Sequence, residues 1–472
     1  MQKSYLFYDL ETSGINKCFD QILQFAAIRT DENLRELERY EFLVRLNPDT
    51  IPHPKASITH HISIEKANTG ISEYEAVCRI FKLINTPNTI SIGYNTLGFD
   101  DEFLRFSFFK NLLPPYDHQY KNNCMRMDLY PIVSAYYLFA DDVLKWPTNE
   151  KQKTSLKLEH LNEMNHLFLQ GRAHDAMSDV VVTLELAKKL KSANEKMWHY
   201  LTQRFDKAED QKVMGQLDVG LEVDKKSYLQ ALMVSGKFGS DANFIAPVLS
   251  LGQHRHYKNQ WCFLRLDLED LSKANSDNFT DFIWGMNKKW GEPPILLPAK
   301  KRFLAKFSQD RIEIIKKNKA FLQDNPEVFI EIRDYILDYT YPVVENVDAD
   351  AALYQAGFMN QAEQNLSRAF HQGNVNKKVS LLGEMNKDYY QRALRVIGRL
   401  SPESLTADMQ LEFQAYLEQI ASYEVENMPV DYKGERKLSL PEAYEEIQKL
   451  LLEDNLTEEQ ITLLEELEGY LS

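Results

Sequence analysis

Tyr5-Leu6-Phe7-Tyr8-Asp9-Leu10-Glu11 reads as a short apolar strand, Tyr5–Tyr8, that ends at Asp9 and is followed two residues on by a second acid. In a strand, residues i and i+2 project from one face of the sheet, so Asp9 and Glu11 point the same way. Like charges a few ångströms apart raise one another's pKa, and a divalent cation is the natural stabiliser of such a pair. Alone, a D-x-E reads better as a solvated strand end, and the metal reading needs further support.

Two further segments supply partners. Thr89–Gly93 has the pattern of a buried strand, and Asn95-Thr96-Leu97-Gly98-Phe99-Asp100 after it delivers a third carboxylate at the start of a helix, with Phe99 anchoring it inward. Asp101 and Glu102 follow and suit the positive end of that helix. The second segment is His174-Asp175-Ala176-Met177-Ser178-Asp179, ahead of a strongly apolar helical pattern over Ala176–Leu190. Five residues at about 100° each would set His174 and Asp179 roughly 140° apart on one helix, so His174 is expected before the helix or at its first turn. From there it can swing over a pocket that receives Asp179, as a mobile general base beside a metal ligand would. Asp175 reads as a helix N-cap.

The surrounding pattern is that of an α/β domain with a mixed sheet over roughly the first 200 residues. Gln21–Thr30 and Tyr40–Leu46 read as strands, and Ser72–Leu83, Asp101–Phe109 and Leu156–Met164 as helices. From about 210 to 300 short β-like runs appear at Ala231–Val234, Trp261–Leu266 and Ile295–Leu297, punctuated by Gly236, Gly239, Gly252 and Pro293-Pro294. Helical periodicity resumes at Arg311–Lys319 and Pro326–Leu337, and the chain from about 349 is helical throughout.

The 472 residues leave room for several domains at roughly 100–200 residues each, and 44% apolar with 26% charged residues describes a folded, water-soluble chain. No run approaches the roughly 18 apolar residues of a membrane span, and the opening MQKSYLFYDLE has no signal-peptide profile, so a cytoplasmic protein is expected. Cys18, Cys78, Cys124 and Cys262 form no CxxC pair and read as reduced structural thiols. The net charge of −15 sits almost wholly in residues 401–472, which carry four basic and eighteen acidic residues. The nearly neutral remainder holds two basic runs, 300–320 and 366–400, each able to line a phosphate backbone or to form a solvated face.

Taken together, Asp-x-Glu, N-x-x-x-F-D and H-x-x-x-x-D, each at a strand end or helix start, resemble the DEDDh 3′→5′ exonuclease superfamily. The likeness extends through LFYDLETSG, QFAAIRTD, GYNTLGFDDEFL, LKLEHL, AHDAMSDV, VSGKFG and NVDADAALYQAGF, which look like the bacterial exodeoxyribonuclease I family. That resemblance implies an α/β ribonuclease H-like exonuclease domain with a mixed sheet over 1–200. A small β-rich SH3-like domain over 201–345 and an all-α C-terminal domain over 349–472 follow. It implies Asp9, Glu11, Asp100 and Asp179 as ligands of two divalent ions, about 3.5–4 Å apart, that activate water and stabilise the leaving oxygen, with His174 beside them. Mg²⁺ is the default and Mn²⁺ may substitute, because the ligands are carboxylate oxygens.

By the same resemblance, Glu11, Lys157, Arg105, Tyr116, Tyr120, Arg172 and Lys207 contact substrate, with Lys157 standing where an arginine is expected. Stacking platforms and the basic runs would lead single-stranded DNA to the site. The implied activity is removal of 5′-mononucleotides from the 3′ end of single-stranded DNA, in repair and recombination, by a monomer. The implied protein partner is single-stranded-DNA-binding protein, held through its acidic C-terminal tail. The alternatives are a 3′→5′ exoribonuclease of the same superfamily and a non-catalytic nucleic-acid-binding scaffold.

Overall fold

The computed structural model describes residues 3–169 and 174–472; Arg172 lies outside them. The chain forms two compact units. One comprises Met1–Met125, Gln170–Val181 and Pro342–Ser472, and the other Arg126–Leu169 and Val182–Tyr341.

The N-terminal sheet consists of β1 (Ser4–Thr12), β2 (Ile22–Thr30), β3 (Glu36–Leu43), β4 (Thr89–Gly93) and β5 (Met125–Asp128), in the order β3-β2-β1-β4-β5. β1 runs antiparallel to β2 and parallel to β4, so the sheet is mixed. The parallel pair needs a crossover, and the helix Glu73–Ile84 supplies it. Leu6, Tyr8 and Leu10 point into a core shared with Ala76, Val77 and Ile80 of that helix and with Phe103, Leu104 and Phe108 of the helix Asp100–Lys110. Phe7, Asp9 and Glu11 alternate with them and therefore face the other way. β1 continues past its expected end at Asp9, because pairing with β2 persists through Glu11 opposite Gln24 before a register shift at Thr12. β3 starts earlier than the expected 40–46: it is an outer strand whose Glu36, Glu38, Arg39 and Glu41 are exposed, charges that protect a sheet edge but obscure apolar alternation.

In the second unit, β6 (Asp218–Val223), β7 (Lys226–Val234), β8 (Ile245–Gln253), β9 (Gln260–Arg265), β10 (Gly285–Lys289) and β11 (Ile295–Pro298) form an antiparallel sheet in the order β10-β9-β8-β7-β11, with β6 on β7. Phe329, Ile332 and Ile336 of the helix Pro326–Asp338 and Leu322 of the helix Gln309–Asp324 pack on Leu249, Leu251 and Leu264 of this sheet. The helix Leu129–Phe139 has no counterpart in the sequence reading. Its LYPIVSAYYLF is apolar all round, and such a helix shows no one-sided period. No helix among the described residues is long and apolar enough to cross a membrane.

The C-terminal segment is helical, from Gln361–Gln372 to Glu458–Leu471, around Phe370, Leu394, Ile397 and Phe413. It changes the reading of the basic run at 366–400. Arg392 stacks on Phe109 at 3.7 Å and donates to the Phe109 carbonyl, Arg395 pairs with Asp348 at 2.6 Å, and Arg399 pairs with Asp49 at 2.6 Å and with Asp350 at 3.0 Å. Arg392, Arg395 and Lys378 are buried and the Arg399 side chain is only 7% exposed, so they hold the interior together and cannot line a DNA track; Arg368, Lys377 and Lys387 remain exposed. The four cysteines are unpaired thiols, with burial pushing Cys78 up to about 11 and Cys262 to about 12.

Candidate active site

Each acidic side chain reaches the site by a local backbone device. The pleat of β1 places Asp9 and Glu11 on the face away from the Leu6 core, and Ala26, opposite Asp9 on β2, leaves the carboxylate room. β4 ends at Gly93, where a Cβ would lie 2.0 Å from the Thr96 side chain, so the tight return of the chain requires glycine. Asn95 follows in the left-handed region at φ 63°, and Phe99 packs its ring on Phe103 at 5.0 Å. Asp100 then enters at the first position of its helix and is only 6% exposed. Asp179 lies one turn into the helix Ala176–Ala193, whose start is capped by Asp175: its Oδ2 accepts from the Ser178 N–H at 3.1 Å and from the Ser178 hydroxyl at 2.8 Å. His174 precedes the helix with φ 59° and an exposed side chain, as the angular argument requires.

These elements converge. A Glu11 oxygen, an Asp179 oxygen and an imidazole nitrogen of His174 lie within 4.8 Å of one another. Burial pushes Glu11 up to about 9, and the charges of Asp179, Asp100 and Asp175 push it the same way. Asp9 is raised well above the usual carboxylate range by burial and then by Asp100, Asp179, Glu11 and Asp175. The four expected acids therefore share one electrostatic site. A set of carboxylate oxygens with one nearby imidazole fits a hard divalent cation, which would replace the bound protons.

The direction of these shifts has a measurable consequence. Between the ordinary glutamate value of 4.5 and about 9, the metal-free folded protein binds more protons at Glu11 than the unfolded chain does, so its stability falls as pH rises through that window. In EDTA the melting temperature is expected to decline from pH 6 to pH 9. Saturating Mg²⁺ is expected to raise it more at pH 8 than at pH 6, and an equal metal effect at both would contradict protonated ligands.

The other expected contact residues are placed differently. Arg105 is buried, with its guanidinium on Asp101 at 3.1 Å and near Tyr354 at 3.4 Å; Asp101 also bonds His118 at 2.9 Å. Tyr116 and the exposed Tyr120 line a cavity of about 560 Å³ with Phe358, Lys121 and Arg368. Lys157, exposed beside Glu159, and Lys207, at the start of the helix Lys207–Gln211, belong to the second unit. Two positioning residues were absent from the sequence reading. Lys17 donates to the Gly98 carbonyl at 2.7 Å and pairs with Glu102 at 2.6 Å, fastening the turn before Asp100. Gln24 bonds Asp175, and its register opposite Glu11 was the available signal.

Residues 6–187 match a family model described as an exonuclease, RNase_T. The chain is 29% identical over 384 residues to exodeoxyribonuclease I of Escherichia coli, covering 77% of this chain and 78% of the relative. The fold matches the crystal structure of E. coli exonuclease I in complex with a dA16 oligonucleotide, at TM-score 0.83 and 24% identity, over 99% of both chains. A zinc-bound form of the E. coli enzyme with single-stranded DNA matches at TM-score 0.83 and 24% identity, over 100% of this chain and 99% of that one. The sequence likeness thus covers most of the chain and the likeness of fold its whole length, with a mixed sheet, an antiparallel sheet and a helical segment in the expected order.

Proposed function

We propose that this chain is a metal-dependent 3′→5′ exonuclease that releases 5′-mononucleotides from single-stranded DNA. The convergence of Asp9, Glu11, Asp100, Asp179 and His174 carries the reading. The four acids would hold two Mg²⁺ ions, or Mn²⁺ in their place, and the ions would supply an activated water and stabilise the leaving 3′ oxygen. His174 takes the proton from the attacking water: it stands outside the helix, beside Glu11 and Asp179, with its side chain exposed. Glu11 also meets the terminal nucleotide.

DNA is favoured over RNA by the likeness to exodeoxyribonuclease I along most of the chain. The cavity lined by Tyr116, Tyr120 and Phe358, with Lys121 and Arg368, suits unpaired bases and their phosphates. Lys157, Lys207 and Arg172 are carried as further DNA contacts, and Arg105 as the group that fixes Asp101 next to Asp100. The division into an exonuclease domain over 1–200, an SH3-like domain over 201–345 and a helical domain over 349–472 belongs to the same reading. So do a monomer, a cytoplasmic role in repair and recombination, and capture of the acidic tail of single-stranded-DNA-binding protein.

End-labelled single-stranded DNA, duplex DNA and RNA, each with Mg²⁺ and with EDTA, test the proposal. Mononucleotide release from single-stranded DNA alone, abolished by EDTA, is expected. Preference for RNA would favour the exoribonuclease, and no hydrolysis of any strand would leave a binding scaffold.

A further inference from the structure

We propose that Gln24 is a positioning residue for this reaction, the latch that sets His174 and Asp179 against the acids of β1. The inference rests on the functional reading above. Gln24 is 3% exposed and stands directly across from Glu11, so the two side chains leave the sheet on one face as neighbours. Its amide makes three contacts. Nε2 donates to Asp175 Oδ1 at 3.2 Å and to Glu41 Oε1 at 3.1 Å, while Oε1 accepts from the Ala176 N–H at 3.4 Å. One side chain on β2 thereby grips both the capping residue and the first residue of the helix that carries Asp179.

The grip matters at this point in the chain for two reasons. His174 immediately precedes it in a left-handed conformation that a residue with a Cβ adopts at a cost, so the turn needs outside support. Asp175 is also a fifth carboxylate whose charge reaches Asp9 and Glu11. Gln24 donates to its Oδ1 and Ser178 to its Oδ2, so both of its oxygens are already engaged. An amide is suited to the place, because it can donate to two carboxylates and still accept from a backbone N–H; a carboxylate there would repel both acids.

Gln24→Met keeps the length and bulk of the side chain and removes the three contacts. It is expected to lower kcat about 10-fold or more, the worth of a hydrogen bond to a charged group, with KM for an oligonucleotide unchanged. Mn²⁺ binding to the DNA-free protein, followed by electron paramagnetic resonance, is expected to weaken. Gln24→Glu, nearly isosteric, should be worse than Gln24→Met on both readouts. In an Asp175→Ala background, Gln24→Met is expected to lower kcat by a smaller factor than it does alone, because Asp175, one of its two partners on the helix, is already gone while the Ala176 N–H remains.

Wild-type kcat and Mn²⁺ affinity in Gln24→Met would overturn the latch. So would losses that multiply fully with Asp175→Ala, or a kcat loss matched by a rise in KM and a fall in melting temperature, which would mark a general packing defect. The Mn²⁺ measurement separates the two levels: if the wild-type protein hydrolyses no strand, the exonuclease reading fails while the latch is still read in the metal affinity.

Discussion

Asp9→Asn or Asp179→Ala is expected to abolish hydrolysis of single-stranded DNA at saturating Mg²⁺, while the protein still melts cooperatively. On the proposed two-metal reading each substitution removes an oxygen ligand from a site that stabilises the transition state by several kcal/mol, so the loss should be on the order of 10³-fold or more. The stability effect distinguishes this site from an ordinary buried contact. Burial, and then the charges of Asp100, Asp179, Glu11 and Asp175, push the Asp9 pKa well above the usual carboxylate range, so the ionised form is disfavoured in the metal-free fold. Replacing it with the neutral amide should leave the melting temperature in EDTA at or above that of wild type, and should cancel much of the stabilisation that Mg²⁺ confers. Single-turnover cleavage of an end-labelled oligonucleotide and melting curves with Mg²⁺ and EDTA check both halves. Near-wild-type turnover by either variant would remove that residue from the metal site.

The parts of this site that were legible in the sequence are those governed by local periodicity. Period two along β1 put Asp9 and Glu11 on one face, and the angular count from His174 to Asp179 placed the histidine outside the helix, where the structure has it. What escaped depends on pairing across strands and on burial. Gln24 acquires its meaning only through its register with Glu11 and its reach to Asp175, two relations that span the fold. The arginines at 392, 395 and 399 read as a basic surface because a chain of charges in a helix looks the same whether it meets water or buried aspartates. Asp348 and Asp350 precede these arginines by more than forty residues and Asp49 by about 350, so spacing could not pair them. The pairing of Arg105 with Asp101 was hidden for a related reason, since a helix-surface cation and a buried partner of Asp101 share one sequence pattern.

His174→Ala tests the remaining chemical role, and its signature lies in the shape of the pH dependence as well as in the rate. The imidazole lies within 4.8 Å of Glu11 and Asp179 oxygens but starts from an exposed side chain, so its removal takes away a proton acceptor without opening a cavity or stripping a carboxylate ligand. Metal and oligonucleotide affinity should therefore persist, while kcat falls roughly 10²–10⁴-fold, the usual contribution of a positioned general base. Hydroxide can replace the missing base, so the variant's rate should continue to climb with pH beyond the point where wild type levels off, and the difference between them should narrow. The neighbouring His60 cannot take over this task. Burial, with the charges of His61 and His174, holds its pKa down to about 3, and its Nδ1 already accepts from the Ile62 N–H at 2.9 Å. Parallel pH profiles for wild type and His174→Ala would show that the histidine only orders the site, and the proton would then have to leave the water by another group.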